Sequence, residues 1–169
     1  MRGSRALVLV VLFVVAVAAA WWYLHRQTAS GVGDAIDVYY TKAADGTTLV
    51  PWHVSLGDAR DPHSVAFYAA TSAVAGPPAD VDAVRFPAGT RVRAVDVQGS
   101  TADVDLSKEV AASAEGGFAE SAEFKALVWT LTQPALGITS VKVRINGERV
   151  ATLPGGHLSL DEPLSRSSF

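Results

Sequence analysis

From Ala6 to Leu24 the chain reads ALVLVVLFVVAVAAAWWYL, nineteen residues without a charged side chain. At 1.5 Å rise per residue, a helix of that length spans about 28 Å, close to the hydrocarbon thickness of a bilayer. Arg2 and Arg5 precede it, so the positive-inside rule places the N-terminus in the cytoplasm. Trp21, Trp22 and Tyr23 fall where an interfacial aromatic belt belongs, and Arg26 can snorkel outward beyond them. The same run also reads as a signal peptide, with Ala16-Val17-Ala18 and Ala18-Ala19-Ala20 as small-x-small cleavage sites. Spanning length and tryptophans favour a retained anchor, and either reading exports the remainder of the chain. The expectation is an anchor or signal sequence over 1–26, a flexible linker over 27–34 and an extracytoplasmic domain over 35–169. In its retained form the protein crosses the cytoplasmic membrane once, and in its cleaved form it is secreted.

All 17 acidic residues but only 11 of the 14 basic ones lie beyond Arg26. An acidic domain is a poor match for nucleic acid, which demands a basic face. Hydrophobic residues make up 49% and charged residues 18% of the 169, which excludes a disordered chain. Cysteine is absent. That removes disulfides, thiolate zinc sites, a cysteine nucleophile and a lipidated cysteine anchor.

Ile36 to Thr41 and Thr48 to Val54 read as strands around an Asp45-Gly46 turn. Pro51 makes the second an edge or bulged strand. Asp61 or Pro62 opens a helix through about Val74, stopped by Gly76-Pro77-Pro78. Phe86-Pro87-Ala88-Gly89 is a turn, and Arg91 to Gln98 and Thr101 to Leu106 form a hairpin around Gly99-Ser100. A regular ladder would put Arg93 opposite Leu106, on the apolar face. One extra residue near Ala94 sets Arg93 against Asp105 and Val92 against Leu106, so a β-bulge is predicted there. Phe124, Leu127, Val128 and Leu131 share a helical face, with Ser121 as the expected N-cap. Val141, Val143 and Ile145 alternate with Lys142 and Arg144 before an Asn146-Gly147 turn. The fold class is α+β: a small mixed sheet with two helices packed on one face, preceded by an N-terminal transmembrane helix.

His53, Asp58, Asp61 and His63 are residue types that bind zinc, but they occupy a strand end, a loop and a helix start instead of one face. Asp96 and Asp103 face each other across the hairpin with Asp105 on the same side, a pattern that can hold calcium. Arg91, Arg93, Lys142 and Arg144 fall on that face too, so neutralised surface carboxylates are the expectation. His25 belongs to the membrane flank. His157 stands in a glycine loop, Gly155-Gly156-His157, which resembles a phosphate loop only in its glycines. No G-x-S-x-G elbow or dinucleotide fingerprint is present. No catalytic, cofactor or metal residues are assigned.

Several segments in order resemble the GerM domain family of sporulation and spore germination. They are Val38-Tyr39-Tyr40 with Leu49-Val50-Pro51, Val74-Ala75-Gly76-Pro77, Phe86-Pro87-Ala88-Gly89-Thr90, and Ala102-Asp103-Val104-Asp105-Leu106-Ser107. Ala126 to Thr132, Gly137 to Val141 with Asn146-Gly147, and Leu160-Asp161-Glu162-Pro163-Leu164 follow. The resemblance implies a non-enzymatic, extracytoplasmic domain of bacterial envelopes, similar to the ring-building modules of secretion assemblies. It differs from better-known members in carrying one domain and an anchor without a lipid-accepting cysteine. The function so implied is protein–protein assembly with other envelope proteins or with itself, without cofactors. The alternative is a ligand-binding or sensory domain that reads a cell-wall fragment or an ion through Asp96, Asp103, Asp105, His53 and His63.

Overall fold

A computed structural model describes residues 14–20, 33–112, 117–154 and 156–169. The chain divides into two units, residues 1–33 and 34–169. In the first, residues 14–20 are helical with exposed side chains. Among the described residues no helix is long and apolar enough to cross a membrane. Most of the expected span and tether, with His25, lies outside the described residues.

The second unit opens with an antiparallel hairpin of β1 (Ala35–Thr41) and β2 (Leu49–Ser55). Ile36, Val38 and Tyr40 are buried on one face of β1, as a strand's period of two requires. Gly46 sits at the turn with φ +58°, a conformation that glycine adopts without cost. Helix α1 (Pro62–Ala75) follows, with Asp61 as N-cap accepting from the His63 and Ser64 amides. Its inward face is mostly alanine (Ala66, Ala69, Ala70, Ala73), so the backbone can approach the sheets closely. Gly76 caps its C-terminus at φ 81°, ahead of Pro77.

Strands β3 (Val92–Gln98) and β4 (Thr101–Leu106) form the second hairpin. Its register runs Val97↔Ala102, Val95↔Val104, Ala94↔Asp105 and Val92↔Leu106. The bulge falls where the side-chain pattern demands it. Ala94 is the partner of Asp105, and Arg93 is the extra residue, still reaching Asp105 with its guanidinium at 3.2 Å. Helix α2 (Gly117–Leu131) then crosses the core, and β5 (Ser140–Ile145) returns parallel to β4. Phe124, Leu127, Val128 and Leu131 are all fully buried, and Phe86 meets Phe124 edge-on at 5.9 Å between centroids. The Asn146-Gly147 turn has both residues at positive φ, 54° and 88°, as a two-residue hairpin turn needs.

The α+β class holds, but two expectations are corrected. There are two sheets, β1-β2 and β3-β4-β5, where a single mixed sheet was expected. The cause lies at the inner edge of β1. The Tyr39 amide donates to Thr130 Oγ1 at 2.9 Å, and the Gln133 side-chain amide donates to the Asp37 carbonyl at 3.0 Å. The Val84 amide donates to the Thr41 carbonyl at 2.9 Å. With these groups satisfied, β1 has no need of a third strand. The second correction concerns Ser121, which lies inside α2, one turn past its start. The added turn carries Glu120, which is only 2% exposed and accepts from the His157 amide at 2.8 Å. This tertiary anchor overrides the local cap signal.

Candidate interaction surface

Four strand edges flank the two sheets, and they differ in how they are finished. The inner edge of β1 is closed by Thr130, Gln133 and Val84. The outer edge of β5 is covered at both ends: Leu164 exchanges two backbone bonds with Val141 at 2.8 and 2.7 Å, and the Ile145 amide donates to the Glu148 carbonyl at 2.8 Å. The outer edge of β3 carries the bulge together with Arg93 and Asp96, both devices that discourage strand addition. β2 has no covering partner, no bulge and no charge, and Pro51 alone interrupts its outward donors. It pairs with β1 in an unbroken register, and its sequence LVPWHVS holds no Asp, Glu, Lys or Arg. Among the described residues no backbone group pairs with its outer edge.

The polarity of that edge follows from β1. Since Tyr39 N–H and Asp37 C=O point away from β2, Tyr39–Pro51 and Asp37–His53 are non-hydrogen-bonded pairs. Leu49, Pro51, His53 and Ser55 therefore aim their backbone groups outward, while Val50, Trp52 and Val54 bond to β1. Pro51 lacks its N–H at a position where β1 never asks for it, which explains why it sits unbulged in the strand. Trp52 lies opposite the fully buried Val38, hence on the core-side face, yet it is 40% exposed. Among the described residues of this unit, Phe67, Tyr68 and Phe118 are the other large exposed apolar side chains.

Most of the residues singled out for metal or ligand binding are held by neighbours within the domain. His53 Nδ1 lies 3.1 Å from Asp37 Oδ1 on the exposed face of the hairpin. Asp61 is consumed by capping: the Ser64 hydroxyl above all, then backbone amides, hold its carboxyl below the usual carboxylate range. Asp58 is exposed in the preceding loop, and His63 is exposed in the first turn of α1. Asp96 and Asp103 do face each other, but Asp103 takes Arg144 Nε at 2.8 Å and Asp96 takes the Gln98 side-chain amide at 2.7 Å. Asp105, buried, accepts from the Gly147 amide at 2.8 Å and forms an ion pair with Arg93. Among the described residues no three His, Asp or Glu side chains gather as metal ligands. Gly155 lies outside the described residues; His157 serves through its backbone amide on Glu120.

Two buried carboxylates, Glu120 and Glu123, escaped sequence reasoning. Their spacing carried a signal, because Glu120, Glu123, Phe124 and Leu127 fall on one helical stripe. Glu123 lines a cleft of about 580 Å³ with Ala43, Ala83, Ala88, Arg85 and Phe118. The Arg85 guanidinium is committed to the carbonyls of Pro77, Pro78 and Val81, and the described lining is rich in alanine around the Glu123 carboxylate.

This arrangement, a hairpin and a three-stranded sheet around one buried helix, defines a small α+β domain with a finished core and one open strand edge. The family described as "Germane: Sporulation and spore germination" matches residues 37–151, and the chain belongs to it. The fold is similar to the tandem GerMN domains of the sporulation protein GerM from Bacillus subtilis, at 28% identity and a TM-score of 0.63. That match covers 80% of this chain and 47% of the tandem, so the chain spans about half its length. The first GerMN domain alone matches at 28% identity and TM-score 0.61, over 79% of this chain and 98% of that domain. A lipoprotein candidate from Clostridium perfringens shares the fold at 20% identity and TM-score 0.56, over 79% and 87% of the two chains. No curated protein matches.

Proposed function

We propose that this chain is a non-catalytic assembly domain of the bacterial envelope, held at the cytoplasmic membrane by its N-terminal segment with residues 35–169 outside. The observation that carries the reading is the contrast among edges: three are closed or guarded, and β2 is left open and uncharged. An open edge gives affinity through backbone bonds and selectivity through alternate side chains. Membership of the family described by sporulation and spore germination is consistent with this reading. The uncharged run before Arg26 supports export and anchoring.

A ligand-reading role finds less support, since Asp96, Asp103 and Asp105 each accept a hydrogen bond from within the domain. In-cell crosslinking of the full chain, followed by purification from membranes and mass spectrometry, tests the proposal. Adducts with itself or with a recurring envelope protein are expected, along with peptides from Met1–Leu24 if the anchor is retained. Recovery of uncrosslinked monomer alone would sink the assembly reading.

A further inference from the structure

We propose that two copies of this chain join through β2, antiparallel and centred on Trp52, to make a four-stranded sheet in the order β1-β2-β2-β1. This rests on the assembly reading and names the occupant of the open edge.

The choice of a second copy comes from the self-complementarity of the edge. Outward backbone groups sit on Leu49, Pro51, His53 and Ser55, and antiparallel pairing must set outward residues against outward residues. Centring on Pro51 places two prolines together, neither with an N–H, and leaves four bonds from the two Leu49–His53 pairs. Centring on His53 also gives four, two from His53–His53 and one from each Pro51–Ser55 pair. Centring on Trp52 gives six: two from each Leu49–Ser55 pair and one from each Pro51–His53 pair, the His53 amide donating to the Pro51 carbonyl.

That register also matches the side chains. Trp52 meets Trp52 at a non-hydrogen-bonded position, where Cα atoms approach to about 4.5 Å and aromatic pairs gain most. Val50 meets Val54 on either side of it, so the core-side face is apolar throughout. On the other face Pro51 meets His53 and Leu49 meets Ser55. No carboxylate, ammonium or guanidinium belongs to the strand, so the two-fold brings no like charges together. A two-stranded sheet is marginal alone, and doubling it to four strands covers the exposed flank of Trp52.

The chain has no cysteine, so single substitutions report register directly. Full-length protein purified in detergent is oxidised as Trp52→Cys, as His53→Cys, and as a mixture of Val50→Cys with Val54→Cys. Disulfides need Cα atoms within about 7 Å, so Trp52→Cys homodimers and the mixed Val50→Cys/Val54→Cys heterodimer should exceed His53→Cys dimers about tenfold. Val50→Cys and Val54→Cys, each alone, should stay monomeric, and the mixture leaves Trp52 in place. Equal crosslinking at all positions, or none, overturns the pairing. Capture of the Trp52→Cys protein in cells only by a different envelope protein also overturns it, while the assembly reading stands. Loss of every adduct from the wild-type chain in cells would instead remove the assembly reading itself.

Discussion

The backbone amide of Tyr39 donates to the hydroxyl of Thr130, a residue 91 positions further along the chain, at 2.9 Å. Thr130 is fully buried, and its hydroxyl donates a hydrogen bond to the Ala126 carbonyl inside α2. The hydroxyl therefore stands where a neighbouring strand's carbonyl would in a larger sheet. Thr130→Val keeps the shape and removes the acceptor, so the Tyr39 N–H is left without its bond. The expected loss is about 1–3 kcal/mol, the cost of stranding a buried polar group. Thr130→Ser should recover most of it. Urea unfolding of the three proteins measures both.

The turn between β1 and β2 makes stability depend on pH. The Thr48 hydroxyl, 2.6 Å from Asp45 Oδ2, is the main cause holding the Asp45 carboxyl below the usual carboxylate range, with the Thr48 and Thr47 amides adding to it. Glu109 is lowered in the same direction, chiefly by the Ser107 hydroxyl. A carboxyl depressed in the folded state stabilises fully above its unfolded value, about 4, and loses that contribution as pH falls toward the folded one. Asp45→Asn removes one such group. Its urea midpoint should drop less than the wild type's between pH 6 and pH 2.5. Parallel acid limbs for the two proteins would count against the turn as a source.

The C-terminal loop is pinned by Glu120, whose Oε2 accepts from the His157 amide at 2.8 Å and the Leu158 amide at 3.4 Å. Gly156 lies so close that an added Cβ would collide with Glu120 Oε1. Gly156→Ala should cost about 1–3 kcal/mol through this overpacking. Glu120→Ala should cost a similar amount by orphaning two amides, about 1–3 kcal/mol. Both should speed limited proteolysis after residue 153 while α1 keeps its hydrogen-exchange protection.

What could be read from the chain divides by the range of the interactions. The bulge at Arg93 was legible because a period of two put a charge opposite Leu106, a conflict visible within fifteen residues. Asp61 and Pro62 marked the start of α1 because a cap is a local bond. Pro51 marked β2 as an edge for the same reason. The start of α2 was not legible, since Glu120 is held by amides 37 positions away. The split into two sheets was hidden too, because Thr130 and Gln133 act as strand substitutes from 91 and 96 positions off. Pro51 set β2 apart as an edge or bulged strand, but that the inner edge of β1 and the outer edge of β5 are covered was not legible. The cover over β5 comes from Leu164, in a tail without periodicity.

Pro51 is the one guard on the open edge, and its removal offers the last test. Its position opposite Tyr39 is non-hydrogen-bonded, so an N–H there would point outward and leave the β1 ladder unchanged. Pro51→Val supplies that donor along with a side chain suited to a strand. Folded stability should move by no more than about 0.5 kcal/mol, as for an exposed substitution that touches no buried partner. Self-association should rise, because each Pro51–His53 pair in the Trp52-centred register gains the bond it lacks. Light scattering of the full chain in detergent, across a dilution series, reads the change. A Pro51→Val protein that stays as monomeric as one carrying His53→Pro, which strips an outward donor, would show that β2 does not meet a second β2.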